Sequence, residues 1–373
     1  MKKAGLALAY LGFLVACVEV AMQAFYYVTV GQSLLSRAAR PIWVPNEHSG
    51  YGVRPGLAID HNTREFRTRI YTNSRGFRVS AAREEYAPEK APETLRVMLL
   101  GPSYAFGWGV DHEATFAVRL GELLEDGGYA RGRRVEVINA GVPALGPADH
   151  LEWYRREGIE LRPDLVVQLI YRSMTSMVPA VDARPMVVDA RGYLVPQDAS
   201  WPHRIRGVAK QSALVFYGWT VYTAWQSRRT AAPEEATPTG PAPDLRFDRS
   251  DPSVAAALAF YEDLGRTVGS AGAGLLVVYF PLAYVIHPED MPRWSHLGVV
   301  DVEAQVAFDR DFCDHLARTG IDCYDATPDL LEAAAAQDER LYYYVDIHWT
   351  PRGNAVMADL VSRRLLARRE AQP

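Results

Sequence analysis

Short apolar runs alternate with longer amphipathic segments over the last three quarters of the chain. The apolar runs predict strands buried on both faces, at residues 96–100, 135–139, 165–170, 275–280 and 322–324. Segments with helical periodicity lie among them, at residues 115–126, 147–158, 253–270, 302–319 and 351–368. This alternation predicts a three-layer, doubly wound α/β domain with a parallel sheet of about five strands. A ligand site in such a sheet lies at the carboxyl ends of the strands.

The N-terminus has a different pattern. Residues 4–30 follow two lysines and contain a single charged side chain, Glu19. A bilayer needs roughly 20 apolar residues, so we interpret residues 1–30 as a retained signal anchor of a bacterial inner-membrane protein, with the main domain on the periplasmic side. A cleaved secretory signal and a lipoprotein signal remain alternatives, the latter because residues 14–17 resemble a lipobox ending at Cys17. The apolar stretch continues past Cys17 to Val30, which favours the anchor.

The rest of the chain divides into a lead-in and a domain with one insertion. Residues 31–90 are rich in turn formers and predict short strands, such as one at 66–71. Residues 91–373 form the α/β domain, interrupted at about 176–250, where residues 228–248 predict a disordered surface loop. An aromatic run precedes that loop, and we interpret it as core packing; a helix lying on the domain, a substrate platform and a membrane contact are the alternatives. The run comprises Phe216, Tyr217, Trp219, Tyr222 and Trp225.

Composition narrows the classes of function. The chain has 373 residues, of which 49% are hydrophobic and 23% charged, and this is typical of a globular protein with room for one large domain. A formal charge of −5 without a basic stripe gives no reason to expect a nucleic-acid partner. Outside the anchor only Cys313 and Cys323 remain, and a disulfide and two buried thiols are both compatible with their spacing.

Candidate chemistry comes from residues at opposite ends of the α/β domain. Ser103 directly follows the first apolar run, and Asp346 precedes His348 by two residues. An acid so placed can orient the imidazole while the imidazole deprotonates the serine, which predicts acyl transfer. A structural alternative exists, because Thr350 is a good N-cap and Pro351 a good first helical residue, so that the segment is also typical of a helix start.

Metal chemistry has no support in the spacing of ligand residues. No second histidine lies three to five residues from His348, and no cysteine pair is close to it. We therefore predict that the site uses no metal and no cofactor.

Three segments together resemble the SGNH (GDSL-type) hydrolases. Residues 100–110 are similar to the first block of that family, residues 137–146 to the second and residues 346–348 to the last. Residues 71–78 also resemble the lead-in of membrane-anchored bacterial members. The resemblance covers most of the chain after residue 45. It implies a three-layer α/β domain, a Ser103 nucleophile, a His348 base, an orienting Asp346, and ester hydrolysis or acyl transfer, often on acetylated carbohydrate.

The chain departs from the family pattern at its supporting positions. Pro102 replaces the usual Asp before the nucleophile, and Ala144 stands where a glycine usually offers its backbone N–H to the oxyanion. The third block has residues 172–175 in place of an Asn-Asp pair, and alignment puts Ser173 at the asparagine position. The oxyanion candidates are therefore the N–H groups of Ser103 and Ala144 and the hydroxyl of Ser173.

Three hypotheses follow. In the first, the chain is a membrane-anchored esterase of the cell envelope. In the second, it is an O-acyltransferase that acylates a sugar hydroxyl and receives acyl groups from a membrane acyltransferase partner. In the third, a catalytically impaired module binds glycan or joins a membrane complex. Retention of Ser103, His348 and Asp346 favours the enzymes, whereas the altered supporting positions favour the binding module.

Overall fold

The computed structural model describes residues 2–35, 42–171, 186–189, 194–197, 209, 211–230, 247–290 and 301–370. The strands are β1 Trp43–Asn46, β2 Gly50–Val53, β3 Ala58–Asn62, β4 Arg67–Thr72, β5 Arg78–Val79, β6 Thr94–Leu100, β7 Arg134–Asn139, β8 Leu165–Ile170, β9 Met186–Val188, β10 Leu194–Pro196, β11 Gly274–Tyr279 and β12 Asp322–Asp325. The helices are α1 Lys2–Val30, α2 Ser103–Phe106, α3 Phe116–Asp126, α4 Pro147–Trp153, α5 Ala213–Thr230, α6 Pro252–Ser270, α7 Ala283–Ile286, α8 Val302–Arg318, α9 Thr327–Ala335 and α10 Pro351–Glu370.

Five parallel strands form the central sheet in the order β12-β11-β8-β6-β7, which confirms the predicted doubly wound α/β fold. Every residue of β6 and β8 is buried, as expected of inner strands, whereas the edge strands β7 and β12 are partly accessible. In β6, Leu99 pairs with Asn139 on one side and Val167 on the other. The carboxyl ends of these three strands therefore meet at one edge of the sheet.

Side chains of β6 divide between two apolar layers because successive residues of a strand point to opposite faces. Val97 and Leu99 pack in the layer that contains helices α3 and α10, and Met98 and Leu100 pack in the layer that contains α4, α6 and α8. The helices thus cover both faces of the sheet, and the predicted three-layer arrangement is correct.

Helix α9 was not predicted, and one predicted helix is shorter than expected. Of the segment 147–158, only Pro147–Trp153 is α-helical, and Tyr154–Gly158 forms a π-helical turn. An apolar pattern specifies which face of a helix is buried, but it does not separate i→i+4 from i→i+5 hydrogen bonding. This is why the sequence predicts one continuous helix here.

The lead-in forms two small antiparallel sheets, β1–β2 and β3–β4–β5. The predicted strand 66–71 corresponds to β4. Apolar side chains of both sheets, among them Val53, Ile59 and Ile70, pack around Phe106 of α2. The lead-in is therefore attached to the helix that directly follows strand β6. The division of the chain at residues 30 and 90 stays a prediction.

Helix α1 has a free half and a packed half. An 18-residue stretch within residues 3–30 has a mean hydropathy of 2.0, so that α1 is long and apolar enough to cross a membrane, and residues 3–18 are exposed throughout. Beyond them Tyr26, Val30 and Leu34 are buried in a cluster with residues of α5. The second half of the apolar segment is thus part of the folded body.

The aromatic run in the insertion belongs to α5, and its interpretation as core packing is wrong for three of its five residues. Phe216 and Tyr217 pack beside α1, but Trp219, Tyr222 and Trp225 are exposed. The loop predicted at 228–248 begins inside α5, which extends to Thr230, and residues 231–246 lie outside the described part of the chain. Much of the rest of the insertion, including residues 198–208, also lies outside it.

A disulfide joins Cys313 of α8 to Cys323 of β12, with their Cα atoms 5.2 Å apart. Of the two possibilities that the sequence leaves open, the bridge is therefore the one observed. The cross-link ties the helix to the edge strand that follows it in the chain.

We expect a Cys313→Ala/Cys323→Ala variant to lose roughly 2–3 kcal/mol of unfolding free energy, because the bridge restricts the unfolded chain over a loop of about ten residues. Urea unfolding in detergent micelles, followed by near-ultraviolet circular dichroism, measures the difference. Cys17→Ser, at an exposed position of α1, is the matched control and should leave stability unchanged. Equal stability of the double variant and the wild type would contradict the expectation.

Candidate active site

Ser103 lies one turn beyond the end of strand β6. The chain leaves the strand through Gly101 at a φ of 152°, where a Cβ would lie 3.0 Å from side-chain atoms of both Ala105 and Leu169. Only glycine fits that conformation and that space without displacement. Ser103 then opens the short helix α2, and its partly accessible hydroxyl lies at the carboxyl edge of the sheet.

His348 lies against this serine, although 245 residues separate the two in the chain. Its Nε2 atom is 2.5 Å from Ser103 Oγ, and its Nδ1 atom is hydrogen-bonded to Asp346 Oδ1. The same carboxylate oxygen accepts the backbone N–H of His348 at 3.0 Å. With Nδ1–H donating to the carboxylate, Nε2 has its lone pair free to accept the serine proton.

Asp346 is held in its ionised form. Burial raises the pKa of this carboxyl, but hydrogen bonds from the His348 ring and backbone and the charges of His348 and His61 outweigh it, so that the pKa lies below its ordinary value. A carboxylate in this state can fix the tautomer of His348 and stabilise the imidazolium that forms when the ring takes a proton.

Tyr104 supports the His348 ring from below. Its hydroxyl donates to the carbonyl of Ile347, and its ring lies 4.9 Å from the imidazole, centroid to centroid. Trp108 lies 6.0 Å from the same imidazole. Both aromatic residues belong to the segment that carries Ser103, so that segment also holds the His348 ring in place.

The start of helix α10 fixes the other end of the His348 loop. Thr350 Oγ1 accepts the backbone N–H of Gly353 at 3.1 Å and donates to the carbonyl of Arg340 at 2.7 Å. The N-cap predicted from the sequence is thus present, and it coexists with the Ser–His–Asp arrangement.

Glu65 holds the Asp346 loop from the lead-in, a contact that the sequence analysis missed. Its two carboxylate oxygens accept the backbone N–H groups of Val345 and Asp346, each at 2.7 Å. Glu65 lies in the turn between β3 and β4, 280 residues earlier in the chain. An acidic residue in a hairpin turn is common, and no local pattern distinguishes one that binds a distant loop.

The second-block loop is held beside the nucleophile turn. The backbone N–H of Val142 donates to the carbonyl of Gly101 at 3.0 Å, and Ala144 has a φ of 66°. Alanine thus adopts the left-handed conformation that the family pattern assigns to a glycine, which typically costs roughly 1–2 kcal/mol. The Tyr51 hydroxyl donates to the carbonyl of Ala144, and the Trp43 indole donates to that of Pro143 at 3.3 Å. These lead-in side chains stabilise the strained turn.

The third block is the one predicted part of the site that the structure does not place. Residues 172–175, including the oxyanion candidate Ser173, lie outside the described residues. Ser103, Asp346 and His348 are brought together, and Ala144 lies on a loop bonded to Gly101. The roles of these residues in catalysis stay predictions.

Several solved structures resemble the chain at low identity. An acetyl xylan esterase, AlAXEase, is 12% identical over 72% of this chain and 99% of its own, with a TM-score of 0.40. A mutant of Axe2, an acetyl-xylooligosaccharide esterase from Geobacillus Stearmophilus, is 11% identical over 75% and 96%, with a TM-score of 0.40. A two-domain esterase active on acetylated mannans is 12% identical over 74% and 49%, with a TM-score of 0.35. Similarity at this level does not establish an activity for this chain.

A family model matches the C-terminal part of the chain. No curated protein matches significantly. Residues 242–373 match the model described as the SGNH hydrolase-like domain of the acetyltransferase AlgX, and the matched part includes Asp346 and His348 but not Ser103. This match bears out, for residues 242–373, the resemblance to the SGNH hydrolases seen in the motifs, and the parallel five-stranded sheet is the fold that the resemblance implies.

Proposed function

We propose that Ser103, His348 and Asp346 form a catalytic triad for serine-dependent acyl chemistry on an acetylated carbohydrate of the cell envelope. The observation that carries the proposal is the continuous chain of hydrogen bonds from Ser103 Oγ through both nitrogens of His348 to Asp346. A structural helix start requires only Thr350, and it gives no reason for His348 to lie 2.5 Å from a serine at the edge of the sheet.

In the first half-reaction, Ser103 Oγ attacks the carbonyl carbon of an ester and its proton passes to His348 Nε2. The carboxylate of Asp346 stabilises the imidazolium. When the tetrahedral intermediate collapses, the bond between the carbonyl carbon and the alcohol oxygen breaks, and His348 returns the proton to that oxygen. Ser103 is then left as an acyl ester.

In the second half-reaction, an acceptor hydroxyl attacks the acyl ester. His348 Nε2 takes the proton of the acceptor and then delivers it to Ser103 Oγ as the bond from the acyl carbon to the serine breaks. Water as acceptor gives hydrolysis, and a sugar hydroxyl gives transfer. The family match to an acetyltransferase domain supports acetyl as the acyl group, and it is compatible with either acceptor.

Negative charge on the tetrahedral intermediate requires hydrogen-bond donors. The backbone N–H groups of Ser103 and Ala144 are the donors that we propose, with the Ser173 hydroxyl as a third. Loss of one oxyanion donor typically costs about 10²–10³ in rate, so that the replacement of asparagine by serine at position 173 would slow such an enzyme without abolishing its activity.

We further propose that the protein is a single-pass inner-membrane protein with its α/β domain in the periplasm. Two observations support the retained anchor: the length and hydropathy of α1, and the burial of Tyr26 and Val30 within the folded body. The disulfide, which is typical of an oxidising compartment, supports the periplasmic placement. A cleavage that removed residues 1–30 would expose the α5 side chains that pack there. A membrane acyltransferase or another membrane complex is the partner expected for the transfer reaction.

Labelling with a fluorophosphonate, a probe for activated serines, tests the triad. We expect the full-length protein in detergent to be labelled, Ser103→Ala to show no labelling, and His348→Ala to react slower by about 10⁴ or more, because the base is lost. Ser270→Ala, an exposed serine at the end of α6, is the matched control and should label like the wild type. Labelling that persists in Ser103→Ala would overturn the assignment, and no labelling of the folded wild type would favour a glycan-binding or assembly role.

The same preparations separate hydrolysis from transfer. Cleavage of a short-chain aryl acetate is followed with and without an added oligosaccharide, and mass spectrometry detects acetate on the sugar. Free acetate alone supports an esterase, whereas acetylated oligosaccharide that disappears in Ser103→Ala supports a transferase.

Asp346→Asn tests the orienting carboxylate and its ionisation. We expect kcat to fall by about 10⁴, since the amide no longer enforces the Nδ1–H tautomer. A carboxyl with a depressed folded-state pKa stabilises the fold above its unfolded pKa and loses that contribution as the pH falls through the folded value. The difference in unfolding free energy between wild type and variant should therefore be constant near neutral pH and shrink below about pH 3.8. Asp338→Asn, at an exposed position, is the control and should unfold like the wild type. A difference in unfolding free energy between wild type and Asp346→Asn that grows with acidity would contradict the expectation.

Glu65 is expected to act as a positioning residue for the triad. In Glu65→Ala the Asp346 loop loses both acceptors, and a displacement of about 1 Å at the base typically costs about 10² in rate. We expect kcat on an aryl acetate to fall while KM changes little, and Glu65→Gln, which keeps one carbonyl acceptor, to recover part of the loss. Glu122→Ala, at an exposed position of α3, should leave kcat unchanged. An unchanged kcat in Glu65→Ala at full fold content would refute this role.

A further inference from the structure

Helix α5 presents an aromatic face to the surroundings of the protein. The exposed fractions of Trp219, Tyr222 and Trp225 are 66%, 48% and 48%. The ring of Tyr222 lies 5.7 Å from that of Trp219 and 6.2 Å from that of Trp225, so the three form one continuous stripe. Two exposed valines, Val215 and Val221, enlarge the apolar surface. Contiguous apolar surface of this kind marks an interaction site.

The aromatic stripe faces away from α1. At 100° per residue, Trp219, Tyr222 and Trp225 lie on the side of the helix opposite to Ala213, Phe216 and Tyr217. The latter three are the α5 residues that pack with α1. One face of α5 thus packs on α1, and on the opposite face Trp219 and Tyr222 are exposed among the described residues.

Helix α5 begins on the side of α1. The carboxylate of Glu19, the only charged side chain between residues 4 and 30, accepts the backbone N–H groups of Ala213 at 2.7 Å and Leu214 at 3.0 Å. It also accepts the hydroxyl of Ser212 at 2.8 Å. Glu19 therefore caps the N-terminus of α5, and its position along α1 determines the level at which α5 starts.

That level lies at the end of the wholly exposed part of α1. The wholly exposed residues 3–18 of α1 are sixteen residues, or about 24 Å of helix, and a bilayer core of about 30 Å needs about 20 residues. A membrane that covers this exposed half therefore ends near Glu19–Met22. Helix α5 starts where the polar headgroups begin, the depth at which Trp and Tyr are enriched in membrane proteins.

We propose that α5 lies in the headgroup region of the phospholipid bilayer into which α1 inserts, with Trp219, Tyr222 and Trp225 facing the lipid. The bilayer is the favoured occupant because α5 starts beside Glu19, where the wholly exposed part of α1 ends. The protein would then be held by two elements, a spanning helix and an interfacial one, that fix its tilt as well as its depth.

Spin labelling of the full-length protein tests this proposal without any requirement for catalysis, so the result is independent of the proposed triad. In a Cys17→Ser background, where Cys313 and Cys323 are bridged, a nitroxide is attached at Trp219→Cys and, as a matched control, at Ser270→Cys. Ser270 is exposed at the end of α6, shortly before β11 begins. It therefore lies near the amino ends of the strands, at the sheet edge opposite to Ser103. Both proteins are reconstituted into vesicles of phosphatidylcholine alone, and collision rates with oxygen and with a water-soluble nickel chelate are measured.

We expect the oxygen-to-nickel collision ratio to be severalfold higher at position 219 than at position 270, because oxygen partitions into lipid and the chelate does not. Equal ratios at the two positions would overturn the proposal. A label at position 219 that is immobile and inaccessible to both reagents would show a protein occupant, such as a second copy of the chain, and would equally overturn it. A second label at Tyr222→Cys, on the same stripe, should reproduce the result if the helix is intact.

Discussion

The turn at Gly101 is the constraint on which the site depends. Strand β6 can end in a helix that points Ser103 out of the sheet edge only because residue 101 adopts a φ of 152° with no side chain between Ala105 and Leu169. The carbonyl of the same glycine accepts the N–H of Val142, which brings the second-block loop beside the nucleophile. One backbone conformation thus sets the position of the serine and of the loop that carries Ala144. A larger residue at 101 would disturb both.

Local patterns predicted the sheet, and they singled out the serine, histidine and aspartate that the structure brings together, because each depends on the immediate chain. Runs such as 96–100 and 165–170 are continuous and apolar because inner strands have no exposed face. Asp346 and His348 are close in sequence because a single turn brings the carboxylate of Asp346 to His348. The bridge between Cys313 and Cys323 could not be decided from the sequence, since spacing alone permits two thiols.

Contacts between distant parts of the chain could not be predicted. Glu65 and Tyr51 hold the Asp346 and Ala144 loops through backbone atoms, and backbone partners leave no trace in the composition of either segment. The aromatic run of α5 was misjudged for a related reason. Trp219 and Tyr222 are apolar enough for a core, and only their orientation relative to α1 shows that they face outward. The lead-in, which has the weakest sequence pattern, proves to support most of the site.

The elements beside the apolar anchor and those beside the triad are linked by direct contacts. Gln32, just beyond α1, donates to the carbonyl of Asp60 at 2.9 Å and accepts the N–H of Asn62 at 3.0 Å, which fastens it to strand β3. At the turn that follows, the Arg64 guanidinium lies 5.5 Å from the ring centre of Tyr217 on α5, and its neighbour Glu65 holds the Asp346 loop. A single hairpin therefore joins α1, α5 and the loop that carries Asp346.

The separation of 245 residues between Ser103 and His348 also has a consequence for biosynthesis. Strand β6 is made early, but its serine meets a base only after the sheet has added β11 and β12 and helix α10 has started behind Thr350. Contacts so far apart in the chain are slow to form, since closing a long loop costs entropy before any contact compensates for it. The contact between Ser103 and His348 therefore forms late, and a partly made chain contains the serine without the histidine.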